Sequence, residues 1–250
     1  MITMNVSKIE PTEEKLLHFT KLPTHIAITM DGNGRWAENH QVSRMKGHQA
    51  GSQAFLKVIE RMLQYKIKII SMFAFSTENW NRPENEVNNL MQLSREFITQ
   101  NLNLIHRYNI KINHLGNLNK LPHDLQLKIN ESIKMTKNNT GTIINIAFDY
   151  GGKQDIVNAV KKIVAEGIPI ENINEESISN KLATAHMPDP DLIIRSGGEL
   201  RMSNFLIWQA AYAEYYFTST LWPDFNAREV DRALTEFSKR ERRFGKTKDY

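Results

Sequence analysis

The sequence contains no cysteine, which excludes disulfides and thiolate metal sites and leaves the redox compartment unreadable. No apolar run approaches the ~18 residues needed to cross a bilayer. Residues 1–20 lack a basic start followed by an apolar core, so no secretory signal is legible. The phosphate-loop pattern Gly-x-x-x-x-Gly-Lys-Ser/Thr is absent. Neither sign of charge is in large excess: 32 Lys plus Arg face 28 Asp plus Glu, a formal +4 that an anionic small substrate explains as well as nucleic acid does. There is no internal repeat and no composition shift that marks a linker. The expectation is a cytoplasmic chain whose 250 residues, 40% of them hydrophobic, build one substantial core.

What is present is organised around residues 25–37. His25-Ile26-Ala27-Ile28-Thr29-Met30 reads as a buried strand, apolar and β-branched. It stops at Asp31-Gly32-Asn33-Gly34-Arg35-Trp36-Ala37, a carboxylate, two turn glycines and a guanidinium. Gly32 and Gly34 permit a tight turn and close backbone approach to an anion. Asp31, at a strand's carboxyl end, can hold a divalent cation, and Arg35 has the fork geometry that suits phosphate oxygens. This is the pattern of a phosphate or diphosphate cradle. Gly32-x-Gly34-x-x-Ala37 also matches a dinucleotide fingerprint, which should open a helix at once and place an acid at the end of the next strand. Residues 38–43 are polar with no helical stripe, and the next strand runs to Ser76, so that reading is set aside.

Residues 1–22 read as a polar tail with an apolar patch at Leu16, Leu17 and Phe19, and residues 23–250 as the functional domain. Arg44 and His48 begin a helix with apolar positions at Phe55, Val58, Ile59, Met62 and Leu63. Strands are expected at 67–75, 110–115, 142–148, 191–194 and 215–217. Between them fall helices at 84–107, 121–137, 175–183 and one after Gly152 carrying Ile156, Val157, Val160, Ile163 and Val164, with a charged helix closing the chain through 228–243. Strands alternating with helices predict an α/β single domain, a mostly parallel six-stranded sheet flanked by helices. A parallel sheet gathers its carboxyl ends on one edge, so Asp31–Arg35, Ser76–Arg82 and Arg195–Ser203 should meet there. Four arginines, a carboxylate and glycine turns are enough for two diphosphates.

These blocks, with Arg44, Gly47-His48, Tyr150-Gly151-Gly152 and residues 208–214, 221–225 and 240–245, resemble the cis-prenyltransferases, the family of bacterial undecaprenyl diphosphate synthases. The paired Asp-Asp-x-x-Asp boxes of trans-prenyltransferases are absent. The resemblance implies Mg²⁺-dependent, sequential cis condensation of isopentenyl diphosphate onto an allylic primer, usually farnesyl diphosphate. It implies that Asp31 handles the metal and the allylic diphosphate, which Gly32, Asn33, Gly34 and Arg35 cradle with Arg44 and His48, and that Trp36 is among the substrate-binding residues. Ser76, Thr77, Glu78, Asn79, Trp80 and Arg82 would close over the site; Asp31, His48, Ser76 and Asn79 make up the catalytic set, with Ser76 and Asn79 assisting proton removal. Arg195, Arg201 and Ser203 would hold isopentenyl diphosphate. Glu214 matches a metal-assisting residue at a homodimer interface, and Arg243 with Gly245 a pair that reaches the neighbouring subunit's site. Peripheral contact with the membrane's inner face is expected for product release, and no nucleic acid is expected as a partner. Asp149 departs from the family's usual Asn. A long hydrocarbon product needs an apolar tunnel, expected between the sheet and the 84–107 helix. A silent partner subunit would lack parts of the Asp31 loop, which is whole here; a nucleic-acid-binding module would show a basic, aromatic-studded face, which is missing.

Overall fold

A computed structural model describes residues 16–241. Its first strand, β1 (His25–Thr29), is inaccessible along Ile26, Ala27 and Ile28, because both faces of its sheet are covered. The other strands are β2 (Ile69–Ser76), β3 (Lys111–Leu115), β4 (Ile143–Tyr150), β5 (Leu192–Arg195) and β6 (Glu214–Phe217). The order is β3-β4-β2-β1-β5-β6 and every pairing is parallel. From β1 the chain first winds toward β2, β3 and β4, then returns to β5 on the other side. The crevice beyond the carboxyl ends of β1 and β5 is therefore a topological switch point, where open α/β sheets bind ligands.

The helices are α1 (Asn33–Asn39), α2 (Arg44–Gln64), α3 (Glu84–Arg107), α4 (His123–Thr136), α5 (Gly152–Ala165), α6 (Glu175–Ser179) and α7 (Ala227–Lys239). One face of the sheet packs Ile28, Ile70, Met72 and Ile194 against Val58 and Met62 of α2 and Leu234 and Phe237 of α7. The buried guanidinium of Arg61 ties those two helices, donating to both Asp231 oxygens at 2.9 and 2.7 Å, and Tyr65 donates to the same carboxylate at 2.8 Å. The other face carries a smaller cluster, Ala27, Ala147, Ile193, Phe205 and Leu206. The polar groups of that face satisfy one another across the strands: His25 Nε2 to Ser71 Oγ (2.8 Å), Asn145 to Ser71 (2.9 Å) and Asn113 to Asn145 (3.1 Å). Phe19 meets Tyr65 edge-on, so the chain before β1 is laid on α2, while Leu16 and Leu17 stay exposed.

The expected six-stranded α/β sheet is borne out, with every pairing parallel. Several finer expectations are corrected. The Gly32 turn does open a helix, α1, although residues 33–39 carry no apolar stripe; the helix is held by its packing on α2, where Ala37 is buried. The fourth strand continues through Asp149 to Tyr150, the helix expected at 175–183 stops at Ser179, and α7 ends at Lys239. In α5 the buried positions are Gly152, Asp155, Ala159 and Ile163, whereas Val157, Val160 and Val164 face outward; small residues let the helix sit close to the 204–209 segment.

Candidate active site

The Asp31 turn is clamped from three sides. The Asp31 N–H donates to Ser196 Oγ (2.9 Å), the Ser196 hydroxyl donates to the Asp31 carbonyl (2.8 Å), and the Trp222 N–H reaches that carbonyl at 3.0 Å. Gly32 has φ +113° and lies against Leu221, where a Cβ would come within 2.9 Å, so both backbone freedom and lack of a side chain are used. Beneath, Gly47 and Gly51 of α2 let Asn33 descend onto the helix; a Cβ at Gly47 would lie 2.2 Å from the Asn33 carbonyl oxygen.

Two groups of charge flank this turn. Arg195, the last residue of β5, is almost wholly buried. It donates to Asp31 Oδ2 at 2.8 Å, to Ser203 Oγ at 2.7 Å and to the Arg201 carbonyl. Arg35 touches Asp31 Oδ1 at 3.4 Å and Glu199 at 3.7 Å, and Glu199 also pairs with Arg201. On the other side Arg44, Arg82 and His48 meet Glu86, at 3.2, 3.1 and 3.6 Å. Burial, then the charge of Arg82, lowers the His48 pKa and favours a neutral imidazole, although Glu86 acts in the opposite sense.

The segment after β2 forms a short 3₁₀ turn, Thr77–Asn81. The Ser76 N–H donates to Asn79 Oδ1 (3.1 Å), and Asn204 donates to Glu78 (2.8 Å), linking this turn to the 195–205 loop. Ser76, Glu78, Asn79 and Arg82 line a polar cavity of about 690 Å³ together with Asp31, Gly32, Asn33, Gly34, Arg35, Arg44, His48, Arg195, Arg201 and Ser203. Three expected residues do not line it. Trp36 stacks on His40 and donates to Asp224 (2.8 Å); Trp80 rests on Phe75 and donates to Asp149 (2.7 Å); Thr77 lies by Gly151. Asp149 thus stands buried, at φ +50°, as an acceptor for an indole. Asp155 is equally structural, accepting from Tyr150, Gln209 and the Ala183 N–H.

Met30, Asn33, His48, Phe73, Phe75 and Leu90 border both this cavity and a second one of about 240 Å³. The second lies between β2, β3 and β4 on one side and α2, α3 and α4 on the other, walled by Phe55, Leu56, Phe97, Ile98, Ile105 and Ile129. A charged mouth therefore opens directly into an apolar tunnel.

Glu214 lies elsewhere. It opens β6, in register with Leu192 at the amino end of β5, and pairs with Arg240 at 3.0 Å, so within one chain the sheet's length separates it from Asp31. Arg243 and Gly245 lie outside the described residues. Sequence reasoning gave no site role to Glu86, which it read as a first-turn acid, or to Ser196 and Asn204 of the 195–205 block. The first stands four residues after Arg82 at a helix start, a spacing that predicts an ion pair; nothing local distinguishes the other two.

The sequence model of the prenyltransferase family, undecaprenyl diphosphate synthase by description, matches residues 29–245. The isoprenyl transferase of Clostridium perfringens is 42% identical over 94% of this chain and 95% of its own. The ditrans,polycis-undecaprenyl-diphosphate synthase ((2E,6E)-farnesyl-diphosphate specific) of Photorhabdus laumondii is 44% identical over 90% and 91%. Among solved structures, lavandulyl diphosphate synthase from Lavandula x intermedia, in complex with dimethylallyl diphosphate, superposes with a TM-score of 0.87 at 36% identity, covering 90% of this chain and 99% of that one. With a switch-point mouth of arginines and an apolar tunnel behind it, this chain belongs to the undecaprenyl diphosphate synthase family of cis-prenyltransferases, the isoprenyl transferases.

Proposed function

We propose that the two charge groups of the mouth are two diphosphate subsites facing each other across Asp31. Arg44, His48 and the Gly32–Asn33–Gly34–Arg35 turn take the allylic diphosphate, with farnesyl diphosphate as primer, and its hydrocarbon enters the tunnel. Arg195, Arg201 and Ser203 take isopentenyl diphosphate. The continuity of the charged and apolar cavities carries this reading: an amphiphile can lie across the shared border of Met30, Phe73 and Leu90 with each end in its own environment.

Among the described residues no three His, Asp or Glu side chains gather as a metal cage. That suits Mg²⁺, which is ordinarily held by one or two carboxylates plus substrate phosphates. Asp31 fits, since Arg35 holds its Oδ1 only loosely at 3.4 Å. When bound, the ion would neutralise charge on the departing diphosphate. The arginines act in the same sense, binding the charge that builds in the transition state more strongly than the ground state. Phe73, Phe75 and the tunnel walls keep water from the allylic carbon. Asn79 and Ser76 assist loss of the isopentenyl proton in this reading, which their position on the cavity wall supports.

The reading includes a homodimer in which Arg243 and Gly245 complete the neighbour's site and Glu214 serves at the interface. It also includes transient contact with a membrane for product release; no helix among the described residues is long and apolar enough to cross one. Incorporation of labelled isopentenyl diphosphate with farnesyl diphosphate and Mg²⁺, products resolved by length, tests it. A cis-polyprenyl ladder lost in Asp31→Ala supports the reading; incorporation that survives the substitution refutes Asp31's role.

A further inference from the structure

Arg44 and His48 come from the first turns of α2, and Arg82 from the segment before α3, yet one carboxylate meets all three. Glu86 places Oε2 3.2 Å from Arg44 Nη1, and Oε1 3.1 Å from Arg82 Nη1 and 3.6 Å from His48 Nε2. Its side chain is only 13% exposed and lines the polar cavity. Burial resists its charge, but Arg82, Arg44 and His48 outweigh that, and the carboxyl stays below its ordinary range. Across the mouth, Asp31 and Glu199 serve Arg35, Arg195 and Arg201 in the same manner. Guanidinium donors have fixed directions, so a carboxylate and a diphosphate compete for the same donors and repel each other at contact distance.

We propose that Glu86 is the resident counter-ion of Arg44 and Arg82, beside a neutral His48, exchanged for the allylic diphosphate when substrate binds. The proposal rests on the reading above that these residues take a diphosphate. Glu86 touches no reacting atom and is a positioning residue. It occupies the first turn of α3, whose later residues Leu90, Phe97 and Ile98 wall the tunnel. Releasing it therefore loosens the tie between α2 and the start of α3 as the hydrocarbon enters. Its return after reaction restores the pairs and helps expel pyrophosphate.

Calorimetric titration of the full chain with inorganic pyrophosphate and Mg²⁺ tests the exchange. Glu86→Gln keeps shape and removes charge, and should bind about tenfold tighter, the effect of one modest charge interaction. In steady state KM for farnesyl diphosphate and kcat should both fall, as pyrophosphate leaves more slowly, a split that a merely misfolded site would not give. Glu86→Asp, which keeps the charge, should return toward wild type. Weaker or unchanged pyrophosphate binding by Glu86→Gln, while Arg44→Ala and Arg82→Ala both weaken it, overturns the exchange and leaves the diphosphate subsite standing. Unchanged binding in Arg44→Ala and Arg82→Ala overturns the subsite reading, and the exchange with it.

Discussion

Arg195 and Asp31 leave the carboxyl ends of two adjacent parallel strands, and the guanidinium of one donates to the carboxylate of the other at 2.8 Å. Arg195 is buried and also braces Ser203 and the Arg201 carbonyl. Removing it leaves Asp31 without its better partner and unties the 195–205 loop. Arg195→Ala should lower kcat/KM for isopentenyl diphosphate by about 10²- to 10³-fold, and Arg195→Lys should recover little, because an ammonium cannot serve three acceptors in fork geometry. Steady-state kinetics at fixed farnesyl diphosphate would check both.

Gly47 is a lever on the Asp31 turn. A methyl there meets the Asn33 carbonyl oxygen at 2.2 Å, and both atoms belong to packed helices. Gly47→Ala should cost about 1–3 kcal/mol of stability and displace the Asp31 turn. Urea denaturation reads the first effect. A rise in KM for the allylic substrate, larger than the change in kcat, reads the second.

Asp149 offers a contrast between chemistry and geometry. Its backbone lies at φ +50°, which Asn and Asp tolerate, and its carboxylate accepts the Trp80 indole. Asp149→Asn keeps both properties and should stay within about 1 kcal/mol of wild type. Asp149→Leu strands the indole N–H and strains the turn, and should lose about 2–4 kcal/mol. Melting curves separate the two.

His25, His48 and His114 all have pKa values lowered from 6.5, burial being the largest cause for each. Below pH 6.5 the unfolded chain takes up protons that the folded chain refuses. Stability should therefore fall from pH 6.5 downward, by up to about 1.4 kcal/mol per pH unit for each such group, and be untouched by them above it. Urea midpoints at pH 7.5 and 5.5 measure the drop. A flat profile would mean that the imidazoles charge freely in the native state.

Ile98 walls the apolar cavity on the same helix as Glu86, about two turns beyond Leu90 at the shared border. Ile98→Lys puts a strongly hydrated ammonium on the path of the hydrocarbon. Products should shorten, while the first condensation proceeds at near wild-type rate. Chromatography of the dephosphorylated products is the check.

Much of this protein is local in its chain. Alternating β-branched runs and amphipathic stretches predict the parallel α/β sheet, because strand and helix periods are written in neighbouring residues. The cradle at Asp31, Gly32 and Arg35 is legible for the same reason: turn glycines and charged residues sit together in sequence. Tertiary structure alone decided which groups share a partner. Glu86 reads as an ordinary acid at a helix start until α2 brings Arg44 and His48 to it, and Trp80 reads as a wall of the site until β4 turns Asp149 toward its indole. Short α1 exists because α2 receives it, and the outward valines of α5 defied a pattern that counts apolar residues without knowing how closely the backbone approaches. Periodicity specifies each element's own face; pairings such as Arg44 with Glu86, 42 positions apart, and Asp31 with Arg195, 164 apart, arise only when the fold places those faces side by side.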